Sequence, residues 1–159
     1  MATSWPAMER RGPSVNDGAI VAFETALGHA LPDDYRRFIL EVNGGRPSDA
    51  TSTPPDLSPI NSLCSLDDPD ETHQLLSAPR YGGPLPSRDL IAIGYEDGGN
   101  EILLCVAGEH KGEIWYLRSG EARRPDDANP RVSWFQRRDM RKIADSFEQY
   151  VQSLGPLKA

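Results

Sequence analysis

Eight side chains combine a residue type and a spacing that could support recognition. Asp67, Asp68, Asp70 and Glu71 crowd one short stretch, while Tyr95, Glu96, Asp97 and Glu101 flank a Gly-rich turn. Carboxylates grouped in this way speed the approach of a basic partner and select against acidic ones. Between Arg46 and Arg80 there are six acids (Asp49, Asp56, Asp67, Asp68, Asp70, Glu71) and no Lys or Arg, whereas Arg118 to Lys142 holds eight basic residues against four acids. The domain is therefore expected to show one acidic side and one more neutral or basic side. A plainer reading competes with this one: a solvated face in which Asp67 or Asp68 caps a helix and the charge serves solubility. The aromatics divide similarly. Tyr81 and Tyr95 fall in or near loops at the sheet's edge, where exposed rings can anchor a partner or simply pack against a neighbouring element. Trp115 and Tyr116, consecutive in a strand, must point to opposite faces.

No residue set suits catalysis or metal binding. His29 falls in a turn between helices, His73 in a short helix and His110 in a turn, with no metal-binding spacing such as H-E-x-x-H. Cys64 and Cys105 lie in apolar stretches without CxxC spacing and read as buried free thiols. There is no G-x-S-x-G and no phosphate-binding glycine loop, because the glycines after Asp97 lead into a strand rather than a helix. We expect no catalytic residue, no metal and no cofactor.

The chain has 159 residues, enough for one domain with a substantial core. A net charge of −7 and a pI of about 4.9 argue against nucleic acid and anionic membrane surfaces, both of which attract Lys and Arg. No apolar run approaches the roughly 18–20 residues of a membrane span. The opening MATSWPAMERRGP lacks the apolar core of a secretory signal, so a cytoplasmic location is expected.

The elements that must position these residues can be read in order. Residues 1–14 show no sustained period and are expected to form a flexible or loosely docked arm, leaving 15–157 as one domain. Ile20, Phe23 and Leu27 define a first helix, capped by Asn16 or Asp17 and stopped at Gly28. A second begins around Leu31-Pro32, carries Asp33 and Asp34 at its positive end, buries Tyr35, Phe38, Ile39 and Val42, and stops at Asn43-Gly44-Gly45. A loop rich in Pro, Ser and Thr leads to a strand within Ile60–Leu66. Asp67 to Asp70 then start a short helix over Glu71–Ser77. Leu90–Tyr95, Glu101–Val106 and Glu113–Leu117 alternate with tight turns, as in an antiparallel meander. Arg131–Phe135 reads as a further strand. A last helix is expected from Arg138 to Leu154, with Met140, Ile143, Ala144, Phe147, Val151 and Leu154 on one face. Together these predict an α+β domain, a mostly antiparallel central sheet with helices packed on one face.

The block formed by Leu31, Pro32, Tyr35, Phe38, Ile39, Asn43, Gly44 and Gly45 resembles the opening of the SUKH superfamily, which includes yeast regulators of cell-wall synthesis and bacterial immunity proteins. The resemblance continues through Ile91, Ile93, Gly94, Gly98 and Ile102, then Gly112, Ile114, Trp115 and Tyr116, and ends at Ile143, Ala144, Ser146 and Phe147. It spans about Ile20 to Leu154 and departs most in the loops 49–59 and 119–130. It implies a single SUKH-like domain and a bacterial immunity protein, not an enzyme, that neutralises a toxin by stoichiometric binding. The alternative it implies is a regulatory or scaffold module without a toxin. The acidic residues and Tyr95 named above would then meet a basic toxin domain.

Overall fold

Asn16 starts the first helix, α1 (Asp17–Leu27), by taking extended backbone and accepting a hydrogen bond from the Ala19 N–H. Gly28 ends it at φ +86°, in the left-handed region that glycine reaches without a steric penalty. Pro32 leads into α2 (Asp33–Glu41), where Tyr35, Phe38 and Ile39 form the buried stripe. The computed structural model describes residues 5–48, 51–52, 60–75, 85–97, 99–118 and 131–156. The expectations for Tyr81, for Gly98 and for most of the two divergent loops lie outside the described residues.

Among the described residues a seven-stranded antiparallel sheet runs in the order β1-β2-β4-β5-β6-β7-β8. Its strands are β1 (Met8–Arg11), β2 (Gly45–Pro47), β4 (Ile60–Leu63), β5 (Leu90–Glu96), β6 (Glu101–Cys105), β7 (Ile114–Leu117) and β8 (Met140–Ala144). Thr51–Ser52 (β3) pairs separately with Gly155–Pro156 (β9). The helices α1, α2 and α3 (Phe147–Gln152) cover one face, burying Ile20, Phe38, Phe147 and Val151 against Leu63, Ile91, Ile102 and Ile114. On the opposite face Leu90, Leu103, Cys105, Trp115, Leu117 and Met140 form a second cluster, under Trp134 and Phe135. The expected α+β architecture holds, and each face carries its own apolar cluster.

Four local expectations differ from the structure. Part of the supposed flexible arm, Met8–Arg11, is the edge strand β1, and Trp5 packs edge-on against Phe38 with ring centroids 5.3 Å apart. A Cβ on Gly45 would lie 1.9 Å from the Arg10 carbonyl oxygen, so the glycine, at φ +109°, lets β1 approach. The expected helix from Arg138 to Leu154 is instead β8, a break at Asp145-Ser146, and α3. A bulge in β8 explains this outcome. Trp115 pairs with Lys142 and Ile114 with Ala144, so Ile143 is an extra residue. The bulge turns the helix-like spacing of 140, 143 and 144 into Met140 on the second face and Ile143 with Ala144 on the helix face. Ser146 then takes extended backbone and caps α3 through the Gln149 N–H.

The expected strand Arg131–Phe135 contains a 3₁₀ turn over Trp134–Gln136, whose rings pack on the second face rather than pairing along an edge. Within the described part of the expected Glu71–Ser77 helix, only a 3₁₀ turn, Glu71–His73, forms. Gln74 instead bridges to Ser65 in a parallel pairing that draws the segment toward the sheet.

Candidate partner-binding surface

Sheet register decides where each candidate residue points. Ala92 pairs with Leu103 and Gly94 with Ile102, so Ile93 is an extra residue in β5. A bulge of this kind re-aims the residues that follow it. Tyr95 turns to the face away from the helices, opposite Ser62 on β4 and Glu101 on β6. Glu96 turns toward the helices.

Glu96 is only 3% exposed and accepts hydrogen bonds from the Tyr116 hydroxyl at 2.9 Å and from the Asn100 side chain. Its charge also reaches the buried Tyr150 on α3 and helps push that phenol's pKa up, after the larger effect of burial. Burial, the bond to Glu96 and that carboxylate's charge push Tyr116 up to about 12. Glu96 thus holds a polar interior corner together, and Asp97, in the turn beyond it, remains exposed and accepts from Asn61 at 3.0 Å.

A pH prediction follows from the Tyr116 shift. An unfolded tyrosine ionises near 10, while the native Tyr116 keeps its proton to about 12. Its stabilising effect is complete below pH 10 and is lost as the pH rises from about 10 to 12. Tyr116→Phe is expected to flatten that part of the alkaline stability curve, as measured by urea unfolding at stepped pH.

The second acidic group, Asp67 to Glu71, lies in the loop after β4 and is only partly available. Asp67, Asp70 and Glu71 are exposed. The Asp70 carboxylate accepts from the Thr72 hydroxyl at 2.7 Å and the Thr72 N–H at 2.9 Å, and these bonds hold its pKa below the usual carboxylate range. Asp68 is buried. Its Oδ1 accepts from the Asp70 N–H, and its Oδ2 lies 3.6 Å from an Arg10 guanidinium nitrogen.

Tyr95 and Asp70, distant in sequence, meet through a residue that sequence reasoning passed over. His73 Nδ1 is 2.9 Å from the Tyr95 hydroxyl, the two rings lie within 2° of parallel, and His73 Nε2 is 3.5 Å from Asp70 Oδ2. Arg10 joins from β1 by donating to Ser62 Oγ at 3.3 Å. The result is a cluster of Arg10, Ser62, Asp68, Asp70, His73 and Tyr95 drawn from β1, β4, β5 and the loop after β4, with Ser62 and Asp68 buried beneath the rest. His73 has a findable signal in the i,i+3 spacing from Asp70; Arg10 has none, because residues 1–14 show no sustained period. Glu101 sits half-buried opposite Tyr95; Asp70 and Tyr95 are linked through His73, while Glu96 belongs to a different environment.

The two cysteines are buried free thiols, and burial pushes the pKa of Cys105 up to about 11. His110 is set among Trp134, Phe135 and Trp115 and contacts Glu113 at 2.9 Å. Among the described residues no group of three or more His, Cys, Asp or Glu side chains could hold a metal ion. Among the same residues no helix is long and apolar enough to cross a membrane.

Two helices, separated by Gly28-His29-Ala30-Leu31-Pro32 and closed by Asn43-Gly44-Gly45, lie on an antiparallel sheet. The chain belongs to the SMI1 / KNR4 family (SUKH-1), whose model matches residues 14–153. No curated protein and no solved structure matches the chain. Trp5 and β1 precede the matched residues.

Proposed function

We propose that this protein is an immunity-type binding protein that acts in the cytoplasm by binding a basic toxin domain one to one and blocking its active site. The observation that carries this reading is the trio of exposed carboxylates, Asp67, Asp70 and Glu71, on one loop beside the Tyr95–His73 pair. Family membership supports a protein-binding role. An acidic rim next to a half-buried aromatic suits a cationic protein surface, because charge steers the encounter and a ring anchors it. Asp97, two residues beyond Tyr95, is a further exposed carboxylate in the turn after β5, beside Asn61. Asp68, being buried, lies beneath that rim, Glu96 belongs to the interior corner with Tyr116 and Asn100, and Glu101 lies opposite Tyr95 on β6.

Co-expression with the product of the adjacent gene tests the reading. A 1:1 complex, relief of that product's toxicity and weaker association at higher salt are the expected results. If no toxicity is relieved, and a partner binds without blocking any activity, the protein is instead a regulatory or scaffold module.

A further inference from the structure

We infer that Arg10 is a placeholder: it occupies the position at Asp68 that an arginine of the basic partner takes on binding. The inference rests on the acidic surface just proposed. Asp68 Oδ2 is fully buried and accepts no hydrogen bond, although the side chain is only 4% exposed. A buried carboxylate oxygen normally takes a charge-assisted bond of about 2.7–2.9 Å. Here the nearest cation, Arg10, stays at 3.6 Å, is 42% exposed, and gives its other terminal nitrogen to Ser62 at 3.3 Å. Its hold on Asp68 is long and shared.

Leaving a buried charge half-satisfied is costly, and a second guanidinium that reached both Asp68 and Asp70 would relieve that cost. Arg10 is well placed to yield. It lies on the sheet's edge strand, and on release its exposed side chain can return to water. An arginine suits the site better than a lysine, because its planar fork presents two donors to neighbouring carboxylate oxygens. Since Arg10 precedes the residues matched by the family model, the placeholder belongs to this chain's own N-terminal strand.

The test uses the full chain and two capped peptides, hexa-arginine and hexa-lysine, titrated by calorimetry at fixed ionic strength. Arg10→Gln is compared with Arg46→Gln, which removes the same charge from the cross-strand neighbour. Displacement predicts that Arg10→Gln raises hexa-arginine affinity about tenfold, that Arg46→Gln raises it by roughly twofold or less, and that hexa-lysine gains less than hexa-arginine. Adding Asp68→Asn to Arg10→Gln is expected to cancel the gain, and it also removes the orphaned charge should the single variant unfold. In the wild type, hexa-arginine should shift the Arg10 Nε–Hε NMR signal toward its free-arginine position. Equal gains for the two arginine variants, or an unmoved Arg10 signal at saturation, would overturn the placeholder. In that event weaker peptide binding by Asp70→Lys/Glu71→Lys still upholds the acidic surface, and unchanged binding by that variant removes the surface as well.

Discussion

Asn43→Ala is expected to lower the unfolding free energy by about 3–5 kcal/mol. Asn43 is 1% exposed, sits at φ +57°, and uses its whole amide. Nδ2 donates to the carbonyls of Pro13 at 2.7 Å and Leu66 at 2.8 Å, and Oδ1 accepts from the Leu66 N–H at 2.8 Å. It therefore ties the end of α2 to the loop that carries Asp67 to Glu71 and to the segment leading out of β1. Alanine loses three hydrogen bonds, two of them fully buried, leaves their backbone partners unpaired, and tolerates the left-handed backbone less well than asparagine. Denaturant unfolding measures the loss. Hydrogen exchange should show the Leu66 amide losing protection well beyond the global change, because its partner has gone.

Phe147→Ala is expected to cost a similar amount, about 3–5 kcal/mol, by a different mechanism. The ring is fully buried and meets Phe38 at 4.8 Å, Tyr35 at 4.9 Å and Trp5 at 6.2 Å between centroids. Its removal leaves a cavity where α2, α3 and the N-terminal segment converge, and rigid surroundings collapse only partly. A fall in Tm of roughly 10 °C is expected by calorimetry for a domain of this size. Trp5 fluorescence should report greater exposure, since its ring loses one of its two aromatic neighbours.

These two residues show what was legible in the sequence. The apolar stripes of α1 and α2, the Gly28 stop and the three-strand meander follow from local spacing and turn residues, and each stands where that logic puts it. Asn43 was legible only in part. Its type and neighbours mark a helix stop, while its role in tying two distant segments depends on tertiary contacts that local sequence does not encode. The same limit accounts for the largest errors. A single extra residue in β8 gives a strand the apolar spacing of a helix, and an extra residue in β5 turns Glu96, a surface candidate, toward the helices. Bulges depend on the partner strand, so neither is visible along one segment. The pairing of β1 to β2 was hidden for a related reason: Met8–Arg11 is a short edge strand with charged residues, a composition that also fits an arm.

For the surface, the loop of Asp67 to Glu71 and Tyr95 stood out through charge and residue type. Their junction did not, because it runs through His73, and the pairing of Asp68 with Arg10 spans β1 and the loop after β4. Sequence shows how many carboxylates a segment holds, and folding decides which of them water or a partner can reach.

On the proposed reading, the exposed carboxylates of this loop bind a cationic protein surface. Calorimetric titration of the adjacent gene product into wild-type protein and into Asp67→Lys/Asp70→Lys/Glu71→Lys tests it most directly. A 1:1 complex with the wild type and at least about a hundredfold weaker binding by the folded variant are expected, since three rim attractions become repulsions. Equal affinity for both proteins would contradict it.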